Sequence, residues 1–440
     1  MDIGGTLDFI HSVKWRGRKP GLGRTRELLE ALGNPDKSLK FVHIAGTNGK
    51  GSTAACIESV LRQAGYRTGL FISPYVLRFN ERIQACGEHI TDDEIVRMAE
   101  IMRPYAEVME DTPTEFELIT ALAMQFFKYK QCDIVVLEVG MGGELDSTNV
   151  IDTPEAAVIT AIGFDHVKEL GPAIEDIAMA KAGIIKGGDV VIYGGSPEVE
   201  AVFQSVSQER GAKLHKADFM RIADERFSLG GVSFSFEPYG DITLPLAGTY
   251  QPKNAAVAIT ALEVLRAKGY CIKDEHIKNG LGGVYWPGRF EVLGSKPVFI
   301  LDGSHNPQGA EATAESLQCH FRDKKLVFII GVMADKDIDA IVRHIAPLAE
   351  AFIAVRPDNP RAMDEQSLAN RLERYGAPVI ACGSVDAGVA EAIKIAGEDG
   401  AVCALGSLFI SGDVREAYAG YTKKHSSTSK NCRTESSEGS

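Results

Sequence analysis

No CxxC pair occurs among the eight cysteines of this 440-residue chain, and its ten histidines show no zinc-like spacing. A disulfide scaffold and a zinc module are thereby set aside, and a reducing cytoplasm is the expected compartment. No run of about 18 apolar residues is present, so no membrane partner is expected. The opening MDIGGTLDFIHSVK lacks a basic region followed by an apolar core and does not read as a secretory signal. Positive charge is in deficit: the formal net charge is −13, which argues against a nucleic-acid partner. Anionic ligands would need local positive sites instead. No internal repeat is visible, which leaves solenoids aside.

What remains is a globular composition, 45% hydrophobic and 24% charged, at a length that implies two or three domains. From Phe41 onward, apolar runs alternate with amphipathic stretches. The runs Phe41–Ala45, Thr68–Ile72, Asp133–Val139, Ala156–Ile162 and Val190–Tyr193 predict strands. Asp92–Met102, Phe116–Tyr129 and Asn254–Lys268 predict helices, as does Glu27–Leu32 after the basic stretch KWRGRKPGLGRTR. This alternation implies an α/β fold with a largely parallel sheet. Residues 213–245 change character and read as a small antiparallel insertion. YWPGR, Tyr285 to Arg289, reads as a linker. After it the alternation restarts with strands predicted at Val298–Leu301, Leu326–Ile330, Ala351–Val355, Val379–Cys382 and Val402–Leu405. The expected domains are 1–288 and 289–423, with a polar, low-complexity tail, 424–440, expected to be disordered.

The stretch FVHIAGTNGKGSTAACIESVLRQAGYRTGLFIS organises the first half. Strand, glycine turn and helix offer backbone N–H groups and a positive dipole end to a phosphate. Lys50 adds a charge, and Ser52 or Thr53 a hydroxyl. The spacing departs from the common phosphate loop: Gly46 and Gly49 are closer together, and Gly51 separates Lys50 from Ser52. In open α/β sheets ligands sit at the carboxyl ends of strands. Those ends carry Ser73, Glu138, and Asp165 with His166, an oxygen-rich set suited to Mg²⁺. Lys181 lies on the apolar stripe of Ile174, Ile177 and Ala178, where a lysine either snorkels outward or has a function. In the second half, DGSHNP and GVMADKD follow strands, and Arg289 is placed to reach phosphates from the linker.

HIAGTNGKGST, SPYVLRFNERI, TEFELITALA, LEVGMGGELDSTN, GFDHVKELG, AKAGIIK, YQPKNAAVA, PGRFE, DGSHNP, GVMADKD and GSLFISGDVRE occur in this order. Together they resemble the Mur ligase superfamily, and within it the folylpolyglutamate synthase/dihydrofolate synthase family. The resemblance implies a Mur-ligase-like ATPase domain followed by a smaller Rossmann-like domain. It further implies an ATP-dependent amide ligase that works through an acyl phosphate, with Mg²⁺, L-glutamate and dihydropteroate or a reduced folate. By the same resemblance Thr47, Asn48, Gly49, Lys50, Gly51 and Ser52 hold ATP phosphates, and Asn254, Arg289, Asp302 and His305 complete the nucleotide contacts. Ser73, Glu138 and His166 match the magnesium positions, and Lys181 matches a lysine carboxylated to a carbamate in many members. Lys50, His166 and Lys181 are thus the catalytic candidates. Phe9 to Ser12, including His11, with Thr114, Phe116 and Glu117 and with Leu145, Asp146 and Ser147, match pterin-binding segments. Two positions depart from the family pattern, Glu144 for a frequent Arg and Glu115 for an aromatic. Alternatives are a peptidoglycan-precursor ligase, disfavoured by the 40 or so residues before the loop, and a non-catalytic ATP-binding switch. Nothing in the chain demands more than a monomer.

Overall fold

The computed structural model describes residues 2–12, 21–322, 324–334 and 336–434. The first part of the basic stretch KWRGRKPGLGRTR, through Pro20, lies outside the described residues. The chain divides into two compact units. One comprises Met1–Arg226, Val232–Pro245 and Tyr250–Trp286; the other comprises Phe227–Gly231, Leu246–Thr249 and Pro287–Ser440.

In the first unit an 8-stranded sheet runs in the order Glu88–His89, Ile83–Ala85, Thr68–Phe71, Ile134–Glu138, Phe41–Ala45, Ala156–Ile159, Asp189–Ile192, Lys213–Lys216. From Thr68–Phe71 onward neighbours are parallel, and the two strands before it pair antiparallel. The central strands are apolar on both faces because both faces are covered. Every residue of Phe41–Ala45 and of Ile134–Glu138 is buried. Burying Phe41, Val42 and Ile44 favours this strand by roughly 1.5–3 kcal/mol per side chain. The helices Asp92–Ala106 and Glu115–Tyr129 pack one core, built around Phe71, Leu118, Leu122, Phe126 and Leu137. Ala45, Ile159, Ala178, Ile192 and Phe203 belong to another. The first of those helices starts where TDDE permits reciprocal capping: Thr91 Oγ1 accepts from Glu94 N, and Glu94 Oε2 accepts from Thr91 N.

The insertion is smaller than residues 213–245. Lys213–Lys216 is the last parallel strand of the main sheet, and the separate 3-stranded sheet contains Ile222–Ser228, Gly231–Phe236 and Gly240–Leu244. KLHK is a half-exposed edge strand whose single apolar residue, Leu214, is too little to reveal it.

The second unit has a 6-stranded sheet ordered Glu291–Ser295, Val298–Leu301, Ala401–Leu405, Leu326–Ile330, Ala349–Ala354, Val379–Ala381. Only the first pairing is antiparallel. Alternation sorts the side chains: Ile300, Phe328 and Ile330 enter one core, while Phe299, Leu301 and Ile329 enter the other. The last helix is Ser411–Thr434, so most of the stretch expected to be a disordered tail continues an element already nucleated by the packing of Val414 and Ala417.

Candidate active site

The strand Phe41–Ala45 delivers the chain to the carboxyl edge of the sheet, where Gly46 turns at φ 150°. A Cβ on Gly46 would stand 1.8 Å from Thr160 Oγ1, so the loop closes here only with glycine. Gly49, at φ 86°, caps the helix Lys50–Gln63. A Cβ there would stand 2.5 Å from Asn254 Oδ1, which puts Asn254, from the helix Gln251–Ala267, directly on the loop. Gln251 Nε2 reaches Ser52 Oγ at 3.4 Å, and Asn254 Nδ2 donates to Gln251 Oε1 at 3.0 Å. Gly51 faces the Trp286 indole. On the other side the Thr47 N–H donates to Ala161 O at 2.9 Å, the Asn48 N–H donates to the same oxygen, and the Thr47 hydroxyl donates to Gly163 O at 3.0 Å. A 14-residue helix so capped presents its positive end where a phosphate would sit.

The sheet order sets the ends of Thr68–Phe71, Ile134–Glu138, Phe41–Ala45 and Ala156–Ile159 side by side. Glu138 is 4% exposed. Its Oε2 accepts from Ser73 N at 3.4 Å, and its Oε1 lies 3.9 Å from Lys50 Nζ. Ser73 Oγ accepts from Arg82 Nη1 at 3.1 Å. Arg82 is buried, with its guanidinium 5.0 Å from the centre of the Tyr75 ring. Burial lowers the pKa of this guanidinium, and the carboxylates of Glu115 and Glu138 oppose that shift. His166 adopts φ 52°; its N–H donates to Asp165 Oδ1 at 2.9 Å and its ring lies beside the same carboxylate. Glu138 therefore joins Ser73 on one side to Lys50 on the other, while His166 belongs to the adjoining loop with Asp165. Among the described residues no three His, Cys, Asp or Glu side chains gather into a self-sufficient metal cage.

Lys181 does not snorkel. It is buried on the helix Ile174–Ala182, and its Nζ donates to Gly46 O at 2.9 Å. Lys50 Nζ donates to the same oxygen at 3.2 Å and to Thr47 O at 3.3 Å. Burial pushes the Lys181 ammonium down to about 7; Lys50 acts in the same direction, and Asp165 and Asp146 oppose it. A substantial fraction of this amine is therefore unprotonated near neutral pH, as an amine that attacks carbon must be.

The three segments matched to pterin binding gather in the same unit. His11 Nδ1 lies 3.0 Å from Glu115 Oε1, and that contact holds the Glu115 carboxyl below its ordinary range. Ser12 Oγ donates to Phe9 O, closing its own helix. The Thr114 N–H donates to Glu117 Oε2 at 2.6 Å, and Arg24 clamps Glu117 through Nε and Nη2. Phe116 lies against Gly140, where a Cβ would stand 2.6 Å from the ring. Asp146 is buried: Oδ2 accepts from Met141 N at 2.9 Å, and Oδ1 from Thr148 N at 3.0 Å and Thr148 Oγ1 at 2.6 Å. Burial raises its carboxyl pKa. Leu145 is exposed, and Ser147 is buried in the 3-10 turn that follows. Glu144 N–H donates to Ala180 O, and Gly183 leaves no room for a Cβ beside Glu144, so this loop is seated on the end of the Lys181 helix.

In the second unit Asp302 is buried at the end of Val298–Leu301. Its Oδ2 accepts from Phe290 N at 2.7 Å, and its Oδ1 from Ser304 N at 2.9 Å, Thr313 Oγ1 at 2.9 Å and the Ser304 hydroxyl. Gly303 carries no Cβ because the Arg289 guanidinium occupies that place, with Nη1 at 2.1 Å from where one would be. His305 Nδ1 lies 2.9 Å from Gly303 O. The Arg289 guanidinium thus lies against the strand-end loop that carries Asp302 and His305.

Residues 44–262 match the Mur ligase middle domain, and residues 288–408 match the Mur ligase glutamate ligase domain. A dihydrofolate synthase/folylpolyglutamate synthase of Bacillus subtilis is 38% identical across 93% of this chain and 97% of its own length. The chain belongs to the folylpolyglutamate synthase/dihydrofolate synthase family of Mur ligases. A Mycobacterium tuberculosis folylpolyglutamate synthase, solved in complex with ADP and AMPPCP, superposes with a TM-score of 0.86 at 30% identity, covering 94% of this chain and 98% of that one. An Escherichia coli relative solved in complex with DHPP and ADP gives 0.84 at 30% identity, over 96% and 99% of the two chains.

Within this family framework, sequence reasoning passed over Gln251, Arg82 and His43. Gln251 sits inside YQPKNAAVA, but its contact with Ser52 spans 199 residues of chain. Arg82 lies inside SPYVLRFNERI, where a guanidinium between Phe79 and Ile83 reads as ordinary surface charge. His43 carried a signal: it is the one polar residue of FVHIA.

Proposed function

We propose that the chain joins L-glutamate to a pterin-bearing carboxylic acid, dihydropteroate or a reduced folate, with cleavage of ATP to ADP and phosphate. The substrate carboxylate oxygen attacks the γ-phosphorus and ADP leaves, giving an acyl phosphate. The glutamate amine then attacks the acyl carbon; phosphate leaves, the amine loses its proton and the amide remains. No protein nucleophile is consumed, so the protein's part is positioning and charge neutralisation. The observation that carries this reading is the convergence of Lys50 and Lys181 on the Gly46 carbonyl beside the buried carboxylate of Glu138.

Within the loop Thr47 to Ser52, Gly49 to Ser52 would receive the phosphates on backbone N–H groups at the helix end, with Thr47 and Asn48 anchoring the loop on the Ala161 carbonyl, Lys50 against the phosphoryl oxygens and Asn254 beside the loop. Arg289, Asp302 and His305 are the remaining candidate nucleotide contacts. A magnesium ion suits the donor set. It prefers oxygen, takes one or two protein carboxylates and fills its shell from phosphates and water, so a complete protein cage is not required. Glu138 and Ser73, with His166 from the adjoining loop, would hold it, and it would supply Lewis-acid stabilisation of the phosphoryl oxygens. Lys181 would serve as a carbamate: its neutral amine adds to CO₂, a proton leaves, and a buried cation becomes an anion. His11, Glu115, Phe116 and the loop carrying Asp146 form the pterin side. Glu115 gives that side a carboxylate paired with His11. Among the described residues seven cysteines are free thiols, which suits a cytoplasmic enzyme.

The relatives reported above are folate ligases, so a peptidoglycan-precursor substrate is not favoured. A bare ATP switch would leave the glutamate ligase domain without a role. Purified protein is incubated with ATP, Mg²⁺ and L-glutamate, with dihydropteroate or a reduced folate offered in turn, and products are read by mass spectrometry. Glutamylated pterin is the expected product. Its absence with folded, ATP-binding protein overturns the reading.

A further inference from the structure

His43 lies in the middle of the strand Phe41–Ala45, wholly buried, two residues before the chain leaves for Gly46. Its neighbours across the sheet are Leu137 and Ala157. An imidazole there has a cost. Nδ1 has no hydrogen-bond partner among the described residues, and an orphaned buried polar atom costs about 1–3 kcal/mol. A leucine would fill an apolar strand position without that penalty, so packing alone does not account for the histidine.

Its other nitrogen does make a contact. His43 Nε2 lies 2.9 Å from Thr148 Oγ1, and Thr148 Oγ1 lies 2.6 Å from Asp146 Oδ1. The protons can be assigned. An ionised carboxylate only accepts, so the single hydroxyl proton of Thr148 points to Asp146. The hydroxyl oxygen must then accept from His43, which fixes the imidazole as the tautomer with its proton on Nε2 and leaves Nδ1 bare. Burial keeps the ring neutral, pushing its pKa down to about 3. Thr148 N and Met141 N complete the grip on the same carboxylate. The relay thus runs from the strand that carries the phosphate loop to the loop that carries Leu145, Asp146 and Ser147.

We propose that His43 is a positioning residue for the pterin substrate, setting the orientation of Asp146 and its loop through the hydroxyl of Thr148. This rests on the folate-ligase reading given above. His43 acts through Thr148 and Asp146 rather than on a substrate directly. Its effect is to convert a mobile side-chain contact into a fixed one, as supporting shells do elsewhere.

The relay can be cut at either end. Thr148→Val keeps the shape of the side chain and removes the hydroxyl; His43→Leu removes the donor. His43→Gln keeps an N–H donor near the Nε2 position, and Thr148→Ser keeps the hydroxyl. Steady-state kinetics with dihydropteroate or tetrahydrofolate, ATP and L-glutamate, alongside thermal melts, read the outcome. Thr148→Val and His43→Leu are expected to raise KM for the pterin by about tenfold while KM for ATP and glutamate stays within about twofold. Thr148→Ser and His43→Gln are expected to return pterin KM to within about threefold of the parent. The double variant is expected to cost no more than the worse single one, because both cut the same relay.

The proposal is overturned if pterin KM stays within about twofold in both cut variants, or if all three KM values rise together. It is likewise overturned if only the melting temperature falls, or if neither cut variant folds, since the relay is then scaffolding. Failure of the parent protein to glutamylate any pterin overturns the folate-ligase reading instead, so the two failures are distinct.

Discussion

Lys181 Nζ donates to the carbonyl oxygen of Gly46 at 2.9 Å, and Lys50 Nζ donates to that same oxygen at 3.2 Å. Two ammonium groups on one carbonyl, one of them buried, repel each other in a medium that screens poorly. The lesser cost is to release a proton, and the buried lysine is the one held down to about 7. An anion arriving at the loop, or CO₂ adding to the neutral amine, relieves the same repulsion.

Replacing Lys181 tests the second route. Lys181→Ala is expected to lose at least about 100-fold in kcat, with partial return when bicarbonate-free buffer is supplemented with a short carboxylic acid. The parent protein, equilibrated with carbon-13 bicarbonate, is expected to show a carbamate carbon by NMR that Lys181→Ala lacks. Full activity in the variant returns Lys181 to a packing role.

The same lysine predicts a stability signature. Its folded pKa, about 7, lies below the unfolded value of 10.5, so between these the unfolded chain binds more protons. The penalty is therefore complete below pH 7, shrinks as pH rises, and is gone above about 10.5. Lys181→Met is expected to be more stable than the parent at pH 6 by on the order of several kcal/mol, with the difference shrinking toward pH 10. Gly46 O keeps Lys50 as its donor in the variant, so no acceptor is orphaned. Urea melts across that pH range read the slope, and a pH-independent difference contradicts it.

Gly49→Ala separates the loop from the fold. The position has φ 86°, and a Cβ would stand 2.5 Å from Asn254 Oδ1. Either Asn254 moves or the helix cap opens, and both displace the backbone N–H groups proposed to meet phosphate. Affinity for ATP is expected to fall by at least about tenfold, while the melting temperature drops only a few degrees for a cost near 1–2 kcal/mol. Isothermal calorimetry and a thermal melt on the same sample decide it; unchanged nucleotide affinity counts against the assignment of the loop.

Much of this site was legible in the chain before its fold was known, for a physical reason. Strands such as Phe41–Ala45, Val298–Leu301 and Leu326–Ile330 are covered on both faces, so burial writes itself as an unbroken apolar run, and any polar residue at the end is conspicuous. Ser73 and Glu138 stood out by that contrast, and Lys181 by its place on the apolar stripe of a helix. Pairings between distant segments leave no such trace. His11 meets Glu115 across 104 residues, Arg24 meets Glu117 across 93, and each looks like surface charge in its own segment. Edge elements are equally silent: Glu88–His89 is polar and exposed, Lys213–Lys216 offers one half-buried leucine, and only the hydrogen-bond ladder makes them strands. The long final helix continues past the end of its apolar face, so composition alone reads it as a tail.

Glu138 is the residue on which the metal assignment turns. It is buried, meets Ser73 N at 3.4 Å and sits 3.9 Å from Lys50 Nζ, a distance at which the ammonium balances the charge without occupying the whole carboxylate. Its strand-end position places this carboxylate beside the phosphate loop, where a cation carried by the phosphates would meet it. Glu138→Gln keeps the shape and an oxygen for Ser73 N while removing the charge. The variant is expected to fold with a melting temperature within a few degrees of the parent and to lose at least about 100-fold in kcat. Its half-saturating Mg²⁺ concentration is expected to rise at least about tenfold. In the parent, a chelator is expected to abolish turnover and added Mg²⁺ to restore it. A Mg²⁺ titration of initial rates at saturating ATP makes the measurement. If Glu138→Gln keeps the parent's Mg²⁺ dependence while losing rate, the carboxylate acts on Lys50 rather than on a metal, and Ser73 loses its proposed partner as well.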